Sequence, residues 1–169
     1  SHAEGYETTA SSTYGSHAEG CKTTANGFAS HAEGYSSIKG TSTVGIYASG
    51  SGAHAEGYSN NTTSFIRATG SGAHAEGYSN YNNMGTLASG DGSHAEGSAT
   101  TASSFAAHAE GDQTVASGHS SHAEGVATKA SGSYSHAEGH CTYAQENGVH
   151  AEGYSYNGDE SSPASGIYA

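Results

Sequence analysis

The sequence predicts an all-β solenoid, a single domain of ten short parallel rungs over residues 1–169. Three observations lead there. The tetrapeptide His-Ala-Glu-Gly occurs ten times, starting at His2, His17, His31, His54, His74, His94, His108, His122, His136 and His150. Most starts are 14 residues apart, which holds two short strands and two turns but neither a helix pair nor a propeller blade. No segment shows the 3.6-residue period of an amphipathic helix.

Each rung begins with a strand over Ser-His-Ala-Glu-Gly. Side chains alternate faces in a strand, so Ala3, Ala18, Ala32 and their equivalents point inward, while His and Glu share the outer face. A second strand ends on an Ala, usually followed by Ser and Gly: Ala10, Ala25, Ala48, Ala68, Ala88, Ala102, Ala116, Ala130, Ala144 and Ala164. Two residues before that Ala stands a Thr, Ser or Ile, small or β-branched and suited to the interior. The residue between them varies and includes Arg67 and Lys129, as expected of an outward position. Apart from one additional residue between Ala10 and His17, extra length enters between the two strands, nine residues in the third unit and six in the fourth, fifth and tenth. Insertions at one point of a repeat become loops on one face. These loops carry the candidate binding residues Tyr35, Tyr58, Asn60, Asn61, Phe65, Tyr78, Tyr81, Asn82, Tyr154, Tyr156 and Asn157, since Tyr and Asn together suit sugar or protein recognition.

Leu, Ile, Val and Phe are only 12 of 169 residues, a composition that alone suggests disorder. The repeat overrides this, because rungs in register can fill a thin interior with Ala and Thr. Net charge is −12, but ten of the sixteen acids are the repeat Glu. Four basic residues argue against nucleic-acid binding, and no apolar run is long enough to span a membrane. Cys21 and Cys141 lie seven rungs apart, roughly 30 Å or more, beyond disulfide reach within one chain. The missing initiator Met fits a processed chain or a segment of a longer fibre.

The outer face of the first strands carries His2, Glu4, His17, Glu19, His31, Glu33, His54, Glu56, His74, Glu76, His94, Glu96, His108, Glu110, His122, Glu124, His136, Glu138, His150 and Glu152. Ten carboxylates about 4.8 Å apart repel one another in water. Equal numbers of His and Glu suit packing against another copy of the chain, so the face reads as a self-association seam. A Glu neighbour raises a His pKa, whereas crowded His lower it. His-x-Glu is half of a zinc deaminase signature, but no Pro-Cys-x-x-Cys follows. Ser and His on opposite faces cannot form a triad. No catalytic residue, metal or cofactor is assigned; a divalent ion on the His/Glu ladder is the open alternative.

Ser-His-Ala-Glu-Gly followed by Thr-x-Ala-Ser-Gly, on this period and over the whole chain, resembles the YadA-like head repeat of trimeric autotransporter adhesins, and related bacteriophage tail-fibre and tail-spike repeats. The resemblance implies a left-handed parallel β-roll, three rolls about a threefold axis, and a stiff extracellular fibre on a bacterial surface or virion. In that family the two outward positions of the first strand are typically aliphatic; here they are His and Glu, which makes the seam polar and ionisable. The expected function is a non-enzymatic fibre segment displaying loops to a host-surface glycan or protein. A head-to-tail filament and an ice-binding solenoid are the alternatives, the second requiring the Thr row to face water.

Overall fold

In the computed structural model, residues 1–38, 44–79 and 84–155 are described, and every regular element among them is a strand. The first strands of the ten units are β1 (His2–Tyr6), β3 (His17–Cys21), β5 (His31–Ser36), β7 (His54–Ser59), β9 (His74–Ser79), β11 (His94–Ser98), β13 (His108–Asp112), β15 (His122–Val126), β17 (His136–His140) and β19 (His150–Tyr154). The second strands are β2 (Thr9–Ala10), β4 (Thr23–Ala25), β6 (Gly45–Ala48), β8 (Phe65–Ala68), β10 (Thr86–Ala88), β12 (Thr101–Ala102), β14 (Val115–Ala116), β16 (Lys129–Ala130) and β18 (Tyr143–Ala144). First strands form one ten-stranded sheet and second strands a nine-stranded sheet, each wholly parallel and in sequence order. The chain therefore winds as a two-sheet solenoid.

Register is strict. His94 lies opposite His108, Ala95 opposite Ala109 and Glu96 opposite Glu110, and the same pairing recurs along the stack. The interior is a set of single-residue columns. Ala18, Ala32, Ala55, Ala75, Ala95, Ala109, Ala123 and Ala137 are wholly buried, as are the second-strand Ala from Ala25 to Ala144. Thr23, Thr86, Thr100, Thr114, Thr128 and Thr142 fill the inward position two residues earlier, and Ile46 and Ile66 take it in two of the lengthened units. The Thr column is thus inside, and it presents no row of hydroxyls to ice. Ser30, Ser93, Ser121 and Ser135 close one corner by donating to the carbonyls of Gly27, Gly90, Gly118 and Gly132.

The corners hold a feature that composition does not announce. Among the described residues, ten other than Gly adopt φ between 50° and 61°, including Lys22, Ala99, Gln113 and Ala127 just after the first strand. Each such residue costs on the order of 1 kcal/mol, sustained because the rungs above and below dictate the backbone path. In the long units the insertion departs here. There the strand runs one residue further, and Ser36, Ser59 and Ser79 extend the buried set. Tyr35, Tyr58 and Tyr78 consequently lie in strands, and Phe65 lies in β8 rather than in a loop.

The motif glycine is fixed by a neighbour as well as by φ. At Gly111 φ is +112°, and a Cβ there would overlap the carbonyl oxygen of Gly125 on the next rung. Gly72 also has positive φ, but a Cβ on it would meet nothing within 4 Å. Gly111→Ala is expected to destabilise the chain by more than about 4 kcal/mol, in the exceptional range for one substitution. Gly72→Ala should cost only about 1–2 kcal/mol. Thermal or denaturant unfolding of the two variants measures the contrast, and equal losses would show that contact between rungs is not what excludes a side chain at Gly111.

Candidate functional site

Parallel register converts the repeated His-Ala-Glu into two side-by-side columns on the outer face of the ten-stranded sheet. Successive imidazoles stack face to face along the entire column. Ring centroids are 4.6–5.1 Å apart and interplanar angles do not exceed 7°. Nine such steps give a ladder about 43 Å long, the spacing of hydrogen-bonded strands.

The carboxylates flank the imidazoles within the same chain. His94 Nε2 lies 3.6 Å from Glu96 Oε2 on its own rung and 3.6 Å from Glu76 Oε1 on the preceding rung. His54 Nε2 approaches Glu33 Oε1 to 3.2 Å, within hydrogen-bonding distance. Most contacts are longer. Nε2 of His17, His31, His74, His94, His108, His122 and His136 is buried without a hydrogen-bond partner, although the side chains as a whole stay about one-third exposed. Beside the columns the bare glycines leave an open groove of about 850 Å³, lined by Glu96, Glu110, Glu124, Glu138 and Glu152.

Electrostatics on this face differ from the expectation that a nearby Glu raises each His. Burial pushes the imidazoles of His31, His74 and His122 down, neighbouring His push the same way, and Glu opposes without prevailing. The reason is the stack itself, which sets each ring between two like groups and away from water. Four carboxylates in the first half of the column, Glu19, Glu33, Glu56 and Glu76, are coupled by hydrogen bonds to one another. Glu56 is pushed up to about 7 by hydrogen bonds to Glu76 and Glu33, with burial adding to the shift. Glu33 and Glu76, which accept from Glu56, are held down chiefly by that bond. Glu19 is raised in turn by its hydrogen bond to Glu33.

The loop-side residues form a second, shorter ladder. The rings of Tyr35, Tyr58 and Tyr78 stack at 5.1 and 5.4 Å, and Tyr154 stacks on His140 at 4.7 Å. Neighbouring rings thus cover the faces within the Tyr stack. Asn61 Oδ1 accepts from the Thr63 amide, so it shapes its own turn, while Asn60 is exposed. Phe65 carries the Arg67 guanidinium over its ring at 4.0 Å. Tyr81, Asn82, Tyr156 and Asn157 lie outside the described residues. Sequence reasoning missed a further aromatic stack at the opposite corner, with Tyr14 against Phe28 and Phe105 against His119. Its signal was one aromatic a few residues before the next His in several units. Both cysteines are free. No protein-family model matches the chain, and no curated protein matches it in sequence.

The pKa shifts have opposite consequences for stability. The lowered imidazoles favour the folded state fully above the unfolded His value of about 6.5 and lose that contribution as pH falls through their folded values. Glu56 acts the other way: its contribution is complete below the unfolded Glu value of about 4.5 and is lost as pH rises through about 7. Glu56→Gln keeps a donor and removes the ionisation. Its melting temperature should match the parent near pH 5 and exceed it near pH 8; identical pH profiles would show that Glu56 shares no proton.

Proposed function

We propose that this chain is a structural fibre segment of the adhesin or tail-fibre type: a stiff spacer, left-handed in its winding and homotrimeric, that displays side-chain rows and loops for attachment outside the cell. The observation that carries the reading is the uniform His–Glu face. The described outward position of the second strands varies, as does the last outward position of the first strands (Tyr6, Cys21, Ser98, Asp112, Val126), whereas the His and Glu positions repeat in all ten units. A face kept uniform over ten rungs, with ring nitrogens buried and unpartnered, suits a partner of the same period. A second and third copy of this chain have that period.

Covering such a face normally incurs a large desolvation cost. The lowered imidazoles of His31, His74 and His122 and the raised carboxyl of Glu56 reduce the formal charge to be buried at those rungs, which favours a polar seam over a solvated one there. The resemblance to YadA-like head repeats supports the threefold arrangement and the placement on a bacterial surface or virion. Attachment to a host glycan or protein is assigned to the rim around Tyr35, Tyr58, Tyr78 and Asn60, all of which are exposed. We read the chain as non-catalytic.

Light scattering tests the assembly. The expected mass is three times the 16.8 kDa chain. A single-chain mass would overturn the seam, and a mass that grows with concentration would favour a head-to-tail filament. Replacing His94, His108, His122 and His136 together with Val recreates an aliphatic seam. The trimer should persist while its pH dependence between about 5 and 8 shrinks; an unaltered profile would mark the ladder as solvated.

A further inference from the structure

We propose that the His–Glu ladder binds a row of divalent transition ions of the zinc or cobalt kind, each held by one imidazole and by two carboxylates from adjacent rungs. The ligand set is contained within one chain and does not require the trimer.

The geometry repeats at separate places along the rod. His74 Nε2 lies 3.5 Å from Glu56 Oε1 and 4.0 Å from Glu76 Oε2. His94 Nε2 lies 3.6 Å from both Glu76 Oε1 and Glu96 Oε2. His136 Nε2 lies 3.6 Å from Glu124 Oε1 and 4.0 Å from Glu138 Oε2. These separations are long for hydrogen bonds, and all three nitrogens are buried without a partner. They lie close to the spacing of two ligands on one tetrahedral ion, about 3.4 Å for bonds of about 2.0–2.2 Å. Shortening by about 0.1 to 0.6 Å per contact closes the site, and the groove beside Glu96, Glu110, Glu124, Glu138 and Glu152 admits a water as fourth ligand there.

Two successive imidazoles and one Glu also come together, as in His94, Glu96 and His108, with their ligand atoms within 4.8 Å of one another. Stacked parallel rings, 2° apart for this pair, cannot both aim an in-plane lone pair at one ion. The set of one imidazole and two carboxylates is therefore the productive one. Each Glu offers one oxygen to its own rung and the other to the next, so carboxylates bridge successive sites. Charge limits the filling: each rung supplies one carboxylate against two positive charges per ion. Alternate rungs fill, about five ions per chain, since ions on adjacent rungs about 4.8 Å apart repel. An imidazole ligand selects zinc, cobalt or nickel over calcium and magnesium.

The test uses tag-free full chain, stripped with chelator and refolded with cobalt(II), so that a covered face cannot hide the sites. Bound cobalt is read by visible absorption and by equilibrium dialysis, with zinc as competitor. The expected result is saturation near one ion per two rungs, with the intense bands of a low-coordinate ion that zinc abolishes. Replacing His94, His108, His122 and His136 with Phe keeps rings that can stack and should remove roughly two-fifths of the capacity of alternately filled rungs. Replacing Glu96, Glu110, Glu124 and Glu138 with Gln breaks five successive rungs, from His94 to His150, and should remove roughly three-fifths; it serves if the Phe variant fails to fold. Unchanged capacity in a folded variant, an aquo-ion spectrum, or displacement by calcium as readily as by zinc would overturn the proposal. Mass measured on the same samples separates the two readings. Ion uptake at single-chain mass overturns only the assembly, and a three-chain mass without uptake overturns only the metal row.

Discussion

Parallel, in-register hydrogen bonding between rungs is the constraint on which the rest of this molecule depends. It sets every residue on its own equivalent one strand spacing away, so the choice at a position is a choice for a column. An inward column tolerates only side chains that stack upon themselves, which is why Ala and Thr build the interior and Ile enters only where the rung is longer. An outward column of one ionisable type must solve its own repulsion. The His column does so by ring stacking, with His31, His74 and His122 pushed toward the neutral form by burial, and the Glu column does so at Glu56, which is raised by its hydrogen bonds to Glu76 and Glu33.

Much of this was readable from residues alone. The period located every first strand, and alternation within Ser-His-Ala-Glu-Gly placed Ala inside and His and Glu together outside. The position two residues before the second-strand Ala identified the buried Thr and Ile. What stayed hidden has a common cause. Lys22, Ala99, Gln113 and Ala127 are not turn-forming types, and they sit at positive φ because the stack imposes it. Tyr35, Tyr58 and Tyr78 looked like loop residues because they border the insertions, yet register draws them into the sheet. The sign of the His shifts depended on ring burial and on His–His distance, neither of which is written in a motif.

The two columns are best understood as one unit. An imidazole is the commonest neutral ligand and a carboxylate the commonest anionic one, and here each alternates with the other along a single face. Such a face can lose charge by moving protons, by meeting its own kind, or by taking up cations. These routes lower the same electrostatic cost, so the proposed assembly and the proposed ion binding would both be linked to pH through it.

A column structure with contacts only between adjacent rungs has a genetic consequence. Excision of 108–121 would bring the rung of His94 directly against that of His122, with His, Ala, Glu and Gly meeting the same residues as before. Loss or gain of one whole unit in the gene would therefore shorten or lengthen the rod by one strand spacing without disturbing the packing of any retained rung.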